Sequence, residues 1–171
     1  MSKTFYLYVS PKFDYIGYIL GFDLDWTIIK PRHGKFPKDS DDVVFMNNRI
    51  KTLNHYQSLG YSIIIFTNQK VTKRYTLEKR LARMNTVINM LEVFGIHPII
   101  LMSTNEDMYR KPNIGMWNYL TQYINQYYST IKFVYASYTG DAAGRPSDFS
   151  DSDIKFAENI GIQFYIPEQI F

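Results

Sequence analysis

Two carboxylates stand one residue apart in the stretch GFDLDWTIIKP, residues 21–31, where an apolar run ends. In an extended strand, residues i and i+2 share a face, so Asp23 and Asp25 would lie side by side. Their like charges repel unless a cation or a reaction needs both in one place. The spacing alone is more typical of a strand that ends in a polar turn, so the rest of the chain must decide between these interpretations.

Polar residues follow two further predicted strands at the same relative position. The predicted strands and their polar residues are 19–24 with Asp23 and Asp25, 63–66 with Thr67, Asn68 and Gln69, and 132–135 with Asp141. Ligands bind at the carboxyl ends of strands in open α/β sheets. Three polar clusters at such ends therefore indicate a functional edge of a sheet.

The order of the predicted elements favours a parallel sheet. Gly60, Gly95 and Gly161 each stand between a helical pattern and a short β-rich run, where a helix C-terminus favours the left-handed backbone. Helices are predicted over residues 47–59, from Leu77 with Thr72 or Thr76 as N-cap, and from Pro112 toward Tyr128. Strands alternating with helices predict an α/β fold whose central parallel sheet is flanked by helices.

Bulk composition is that of a globular protein and excludes several kinds of site. The 171 residues fit a single domain, residues 1–171, with a sizeable core. The absence of Cys excludes disulfides and cysteine-based zinc sites, and it makes an intracellular setting, nucleus or cytoplasm, our expectation. No apolar run approaches the length of a membrane span. The net charge of +3 permits a polyanionic partner without strongly indicating one.

The residues at the predicted sheet edge are suited to phosphoryl transfer. A carboxylate such as Asp23 can attack phosphorus and form an aspartyl-phosphate, and Asp25 can protonate the leaving oxygen and then activate water. A hard cation such as Mg²⁺ would neutralise the transferring group, and Asp141 is the candidate third carboxylate. Thr67 could bind a phosphate oxygen, and Lys111 could supply positive charge to the reaction.

Four motifs in order give the chain a resemblance to the haloacid-dehalogenase-like (HAD) phosphohydrolases. The motifs are DLDWT (23–27), FTNQ (66–69), RKPNIGMW (110–117) and GDAAGR (140–145). One DxDxT motif would be weak support, whereas four in order, each at a consistent structural position, are specific. The resemblance implies an α/β fold of the HAD-like Rossmannoid type, with a short flap and no large cap domain.

A narrower resemblance covers residues 22–171. These residues resemble the 3′-phosphatase domain of polynucleotide kinase/phosphatase, which removes 3′-phosphates from DNA ends during strand-break repair. The C-terminal stretch DFSDSDIKFAENIGIQFYIPEQIF is the most specific part. The resemblance implies a Mg²⁺-dependent phosphatase acting on 3′-phosphate ends of DNA, single-stranded or nicked. The chain has no GxxxxGK[ST] loop, so we expect a phosphatase without the kinase half.

The resemblance also assigns roles to individual residues. It makes Asp23 the nucleophile and Asp25 the general acid/base, with Thr67 and Lys111 binding the phosphoryl group. Around Mg²⁺ it places Asp23, Asp141 and the backbone carbonyl of Asp25. Further substrate-edge residues would be Asn68, Arg110 and Arg145.

Some positions keep two interpretations. Trp26 replaces the glycine usual in the family, and its ring could alter the entrance or stack on a nucleotide base. Near the last helix, Asp151 or Ser152 could cap the helix, whereas Asp148, Asp151 and Asp153 could instead support the metal site. A group of basic residues could rim the site and track a nucleic-acid backbone, or could be ordinary solvated side chains. The group consists of Lys30, Arg32, Lys35, Lys38, Lys70, Lys73 and Arg74.

Two other functions remain open at this level. A HAD phosphatase could act on a small phosphomonoester or nucleotide, because a fold does not define a substrate. An inactive module that binds DNA ends is the third hypothesis, and the filled catalytic positions argue against it.

Overall fold

A computed structural model of the protein describes residues 4–171. In chain order its elements are β1 (Phe5–Val9), β2 (Tyr18–Phe22), β3 (Ile29–Lys30), β4 (Val44–Phe45), α1 (Arg49–Ser58), β5 (Ser62–Asn68), α2 (Leu77–Val93), β6 (Ile99–Ser103), α3 (Gly115–Tyr127), β7 (Tyr135–Thr139), α4 (Ser152–Ile160), β8 (Gln163–Tyr165) and α5 (Pro167–Ile170). None of the helices in this range is long and apolar enough to cross a membrane.

The central sheet has six strands in the order β1-β6-β5-β2-β7-β8. Strand β1 runs antiparallel to β6, and the other neighbours are parallel. Phe22 at the end of β2 lies opposite Ile65 of β5 and Thr139 of β7. The predicted α/β fold is therefore confirmed. Because β2, β5 and β7 are parallel neighbours, the segments that follow them meet at one edge of the sheet.

Two apolar cores, one on each face, hold the sheet between helices. Helices α3 and α4 cover the face that carries Ile19, Phe66 and Tyr138. Helices α1 and α2 cover the opposite face, which carries Phe22 and Ile65. Burying each large apolar side chain stabilises the fold by about 1.5–3 kcal/mol, so the strand ends rest on a rigid support.

The predicted turn residues and N-cap are largely confirmed. Gly60, Gly95 and Gly161 have φ angles of 90°, 75° and 83°, the left-handed region that glycine adopts without steric cost. Thr76 rather than Thr72 caps α2, since its side chain accepts a hydrogen bond from the backbone N–H of Lys79. Helix α1 matches the prediction over 47–59 to within two residues.

Two predicted boundaries are wrong. The third helix begins at Gly115 and not at Pro112, because residues 108–115 form a turn closed by the hydrogen bond from Gly115 N–H to the Met108 carbonyl. The strand predicted over 132–135 begins at Tyr135 and runs to Thr139 instead. Its hydrogen bonds to β2 begin at that point, so the polar stretch SYT belongs to the strand itself.

A short flap follows the DLDWT motif, as expected. Strands β3 and β4 pair antiparallel, with Ile29 opposite Phe45, and residues 31–43 form the loop between them. The buried carboxylate of Asp42 accepts hydrogen bonds from the backbone N–H groups of Arg32 (2.8 Å) and Lys38 (2.9 Å). The loop thus has an internal anchor. No separate cap domain is present within residues 4–171.

Candidate active site

The carboxyl ends of β2, β5 and β7 bring the predicted motifs together. Asp23 follows β2 and is fixed by its backbone N–H, which donates to the Thr139 carbonyl at 2.9 Å. Thr27, fully buried, accepts a hydrogen bond from the backbone N–H of Asp141 at 3.1 Å. The loop after β2 and the loop after β7 are therefore tied to each other at the site.

Lys111 lies at the centre of a buried charged cluster. Its ammonium donates to Asp23 Oδ1 at 2.6 Å, to Asp153 Oδ1 at 2.8 Å and to the Tyr138 hydroxyl at 2.7 Å. Tyr138 in turn donates to Asp153 Oδ1 at 2.9 Å. Burial alone would lower the pKa of Lys111, but the attraction of Asp153 and Asp23 raises it above the usual lysine value. Lys111 thus stays charged next to the predicted nucleophile.

The acidic groups of this cluster are crowded. Burial raises the pKa of Asp23 well above its ordinary value; Lys111 opposes this shift, and repulsion by Asp153 and Asp141 adds to it. Burial, followed by the charge of Asp153, raises the pKa of Asp141 to about 6. Three carboxylates with one lysine leave excess negative charge, which a divalent cation would neutralise.

The cluster fits a metal ion by its donor chemistry. Asp23, Asp141 and Asp153 each offer an oxygen, and these oxygens lie within 4.8 Å of one another. Carboxylate oxygens are the ligands that Mg²⁺ prefers. Asp153 also accepts from the backbone N–H of Ala142 at 3.0 Å and from Lys111 and Tyr138, so both of its oxygens are already engaged. Asp23 and Asp141 are therefore the better candidates for metal ligands.

Asp25, the predicted acid/base, is held apart from this cluster. One of its oxygens accepts a hydrogen bond from Gln69 Nε2 at 2.7 Å, and the other accepts one from Arg83 Nη2 at 2.7 Å. Its side chain keeps 36% of its surface exposed. Within residues 4–171 no hydrogen bond reaches its backbone carbonyl, the predicted metal ligand.

Thr67 and Arg110 are two further predicted site residues. Thr67 is buried, and its hydroxyl accepts a hydrogen bond from Gln69 Nε2 at 2.8 Å, in the same network as Asp25. Arg110 has a buried Nη1 without a hydrogen-bond partner among the described residues.

Asn68 and Arg145 have structural partners. The side chain of Asn68 accepts from the Lys111 N–H and donates to the Lys111 carbonyl, both at 3.0 Å, and so fixes the lysine backbone. Arg145 pairs with Asp148, which also accepts from the backbone N–H groups of Ala143 and Arg145. Their assignment to the substrate edge stays a prediction, and Asp148 shapes the loop after β7.

Sequence reasoning missed two residues that form this site, Tyr138 and Arg83. Tyr138 completes the Lys111 cluster together with Asp153, which the sequence offered as a possible support of the metal site, and Arg83 binds Asp25. Asp151 precedes α4 without a side-chain capping bond. Alternation along the strand residues SYT could have predicted that the Tyr138 side chain lies on one face of the sheet. Arg83 lies within a helix, and no comparable sequence pattern marks it as a site residue.

Comparisons with known proteins identify the family to which the chain belongs. The family model described as polynucleotide kinase 3 phosphatase matches residues 18–171. The chain belongs to the polynucleotide kinase 3 phosphatase family. The bifunctional polynucleotide phosphatase/kinase of Schizosaccharomyces pombe is 37% identical over 155 residues, covering 89% of this chain and 37% of that protein. The chain thus spans little more than a third of that relative.

Two further relatives extend the comparison. The polynucleotide 3′-phosphatase of Saccharomyces cerevisiae is 31% identical, with 90% of this chain and 87% of that protein covered. The solved D,D-heptose 1,7-bisphosphate phosphatase of B. bronchiseptica, complexed with magnesium and phosphate, has a TM-score of 0.65 and 15% identity, covering 87% of this chain and 79% of that one. This structural likeness shows that the chain has the same fold as that phosphatase.

Binding of Mg²⁺ should raise the thermal stability of this protein by an amount that depends on pH. Without metal, the pKa of the Asp141 carboxyl group is about 6 in the folded protein, above its ordinary value in the unfolded chain. The contribution of this group to stability therefore falls as the pH rises from the unfolded-state pKa through about 6. Mg²⁺ relieves the repulsion only when the carboxylates are ionised. We expect millimolar Mg²⁺ to raise the melting temperature by about 5 °C at pH 7.5 and by much less at pH 5.

Thermal unfolding with and without Mg²⁺ checks this expectation. The variant Asp141→Asn should lose the shift at pH 7.5, whereas Glu158→Gln, an exposed carboxylate on α4, should keep it. Equal shifts at both pH values, or an unchanged shift in Asp141→Asn, would contradict the assignment of this carboxylate to a metal site.

Proposed function

We propose that the protein is a Mg²⁺-dependent polynucleotide 3′-phosphatase that acts through an aspartyl-phosphate on Asp23. The observation that carries this proposal is the buried Asp23 carboxylate, paired with Lys111 at 2.6 Å, in a chain of the polynucleotide kinase 3 phosphatase family. A nucleophile that attacks an anionic phosphate needs adjacent positive charge, and Lys111 supplies it.

In the proposed reaction, Asp23 attacks the phosphorus of a terminal 3′-phosphate. The bond between phosphorus and the 3′ oxygen breaks, and Asp25 donates a proton to that oxygen. A water molecule then attacks the aspartyl-phosphate and gives a proton to Asp25. The bond between Asp23 and phosphorus breaks, and inorganic phosphate leaves.

The other residues of the site bind and orient. Thr67 would donate its hydroxyl to a phosphate oxygen, and the buried Asp153 and Tyr138 hold the Lys111 ammonium against Asp23. A bound Mg²⁺, held by Asp23, Asp141 and the Asp25 carbonyl, would neutralise the charge of the transferring group. DNA strand-break repair is the role that we propose for this activity, and it would take place in the nucleus or cytoplasm.

A polynucleotide substrate is supported by the surroundings of the site. Lys35 and Lys38 on the flap and Lys73 and Arg74 after β5 are exposed. Tyr75 donates from its hydroxyl to the Pro37 carbonyl at 3.5 Å, so the flap loop lies against the segment that carries Lys73 and Arg74. These cations would line one path for a nucleic-acid backbone. Lys70 contributes less, because it pairs with Glu106.

The first test is phosphate release from a DNA oligonucleotide with a 3′-phosphate in the presence of Mg²⁺. We expect release from the 3′ end and none from a 5′-phosphate. Asp23→Asn should lower kcat by at least about a thousandfold with the fold intact, because an amide is not a competent nucleophile. Asp39→Asn, an exposed flap residue, is the matched control and should keep full activity.

The outcomes separate the alternatives. No release from DNA together with hydrolysis of small phosphomonoesters would contradict the polynucleotide assignment and favour a metabolite phosphatase. Complete inactivity with retained DNA binding would favour a binding module. Activity retained in Asp23→Asn would refute the proposed nucleophile.

Salt dependence should distinguish an oligonucleotide from a small substrate. If about three backbone phosphates are contacted, kcat/KM for the oligonucleotide should fall roughly 20- to 40-fold between about 50 and 200 mM salt. Hydrolysis of p-nitrophenyl phosphate should change little over this range. Lys73→Met should flatten the salt slope for the oligonucleotide alone, and equal salt sensitivity for both substrates would contradict the backbone path.

Trp26 is expected to stack on the terminal base. It holds a positive φ of 61°, which costs a bulky residue about 1 kcal/mol, and the residue is 38% exposed next to Asp25 in the chain. Trp26→Gly should relieve the backbone strain and raise KM for the oligonucleotide by about tenfold, because stacking on a base is lost. The KM for p-nitrophenyl phosphate should stay unchanged.

Tryptophan fluorescence gives an independent measurement of the stacking. The oligonucleotide should quench the wild-type protein and leave the Trp26→Gly variant, which retains Trp117, unquenched. A rise in KM for both substrates would instead indicate that the ring shapes the entrance.

A further inference from the structure

We infer that Arg83 is a positioning residue that, together with Gln69, fixes the carboxyl group of Asp25 for proton transfer. This inference rests on the proposed function, in which Asp25 protonates the leaving oxygen. It concerns a residue on α2 that lies outside the four sequence motifs.

The contacts hold Asp25 at both oxygens. Arg83 Nη2 donates to Oδ1 and Gln69 Nε2 donates to Oδ2, each at 2.7 Å. The two donors come from different elements, since Arg83 lies on α2 and Gln69 follows β5. One donor would leave the carboxyl group free to rotate. Two donors from two directions fix the plane of the carboxyl group as well as its position.

The burial of Arg83 is costly without such a role. The residue is only 4% exposed, and its Nε has no hydrogen-bond partner among the described residues. Within residues 4–171, Asp25 is the one carboxylate in salt-bridge distance of Arg83. A buried charge with an unsatisfied donor destabilises a fold, and an apolar residue on this helix would pack at lower cost. The position is therefore better explained by what Arg83 does to Asp25 than by stability.

Gln69 connects this pair to the rest of the site. Its Nε2 also donates to Thr67 Oγ1 at 2.8 Å, so one amide group contacts both the acid and a phosphoryl-binding residue. Its Oε1 accepts from Arg80 Nη1 at 2.9 Å. Arg80 is itself held over the Tyr75 ring, 4.5 Å from its centroid. The orientation of the Gln69 amide is thus determined from outside the site.

Proton transfer explains why such rigidity is needed. A general acid must lie within about 3 Å of the leaving oxygen, and it then contributes roughly 10²- to 10⁴-fold to the rate. A nucleoside 3′ oxygen is a poor leaving group without a proton. A p-nitrophenolate leaves with little assistance. Loss of a residue that acts through Asp25 must therefore slow the hydrolysis of an ester more strongly when its leaving group is more basic.

The test compares Arg83→Met with the wild-type protein on the 3′-phosphate oligonucleotide and on phosphate monoesters of graded leaving-group pKa. Methionine keeps an unbranched apolar stem and removes the guanidinium. We expect kcat on the oligonucleotide to fall by about 10- to 100-fold with KM unchanged, and the loss to shrink toward p-nitrophenyl phosphate. In an Asp25→Asn background, Arg83→Met should cause no further loss. Lys51→Met, an exposed cation on α1, is the control and should match the wild type.

Two results would overturn the inference. One is a loss in Arg83→Met that is equal for all leaving groups, and the other is the same loss in the Asp25→Asn background. If circular dichroism shows that Arg83→Met is unfolded, Arg83→Lys, which keeps a donor, replaces it and should show a smaller loss with the same dependence on leaving group. A wild-type protein that cleaves aryl phosphates but not the oligonucleotide would contradict the proposed substrate, while the aryl series would still test Arg83.

Discussion

The buried ion cluster around Lys111 is the interaction on which the rest of the site depends. One ammonium is shared between Asp23, Asp153 and the Tyr138 hydroxyl inside the protein. Removing charges from water is expensive, and the attraction offsets this cost only when the geometry is good and every donor has an acceptor. The reciprocal hydrogen bonds between Asn68 and the backbone of Lys111 provide that geometry. The cluster therefore requires that the strand ends and the loop carrying Lys111 are held rigidly together.

The sheet and the chain terminus provide this rigidity. Register places Phe22 beside Ile65 and Thr139, so the end of β2 is fixed by both neighbouring strands. The C-terminal Phe171 packs against Phe22 and beneath the Arg49 guanidinium, and Arg49 Nε donates to the Thr27 carbonyl at 2.8 Å. Phe171 and Arg49 thus support the loop that joins β2 to the flap.

Much of the fold could be predicted because its signals are local. The glycines after helices, the apolar strand runs and the polar residues at strand ends were enough to predict a parallel sheet with one functional edge. The predicted start of α3 was wrong because proline suits the first turn of a helix and also suits the turn that closes on Met108. Strand β1 was not predicted, since its place beside β6 depends on a long-range antiparallel pairing. Asp153 and Arg83 lie on helices where the same residue types usually face water, and only the tertiary fold turns them inward.

Asp23 and Asp25 have opposite surroundings, although only one residue separates them. Asp23 lies among carboxylates and a single lysine, where crowded negative charge suits a cation and raises the pKa of the carboxyl group. Asp25 accepts hydrogen bonds from Arg83 and Gln69 and is partly exposed to the entrance. Trp26 adopts its left-handed conformation between Asp25 and the buried Thr27, in the turn that leads away from the strand. Because β2 ends at Phe22, before both aspartates, the two carboxyl groups do not share the one environment that an ideal strand would impose. The proposed nucleophile and the proposed acid therefore differ in charged surroundings and in solvent access, as their two different roles in phosphoryl transfer require.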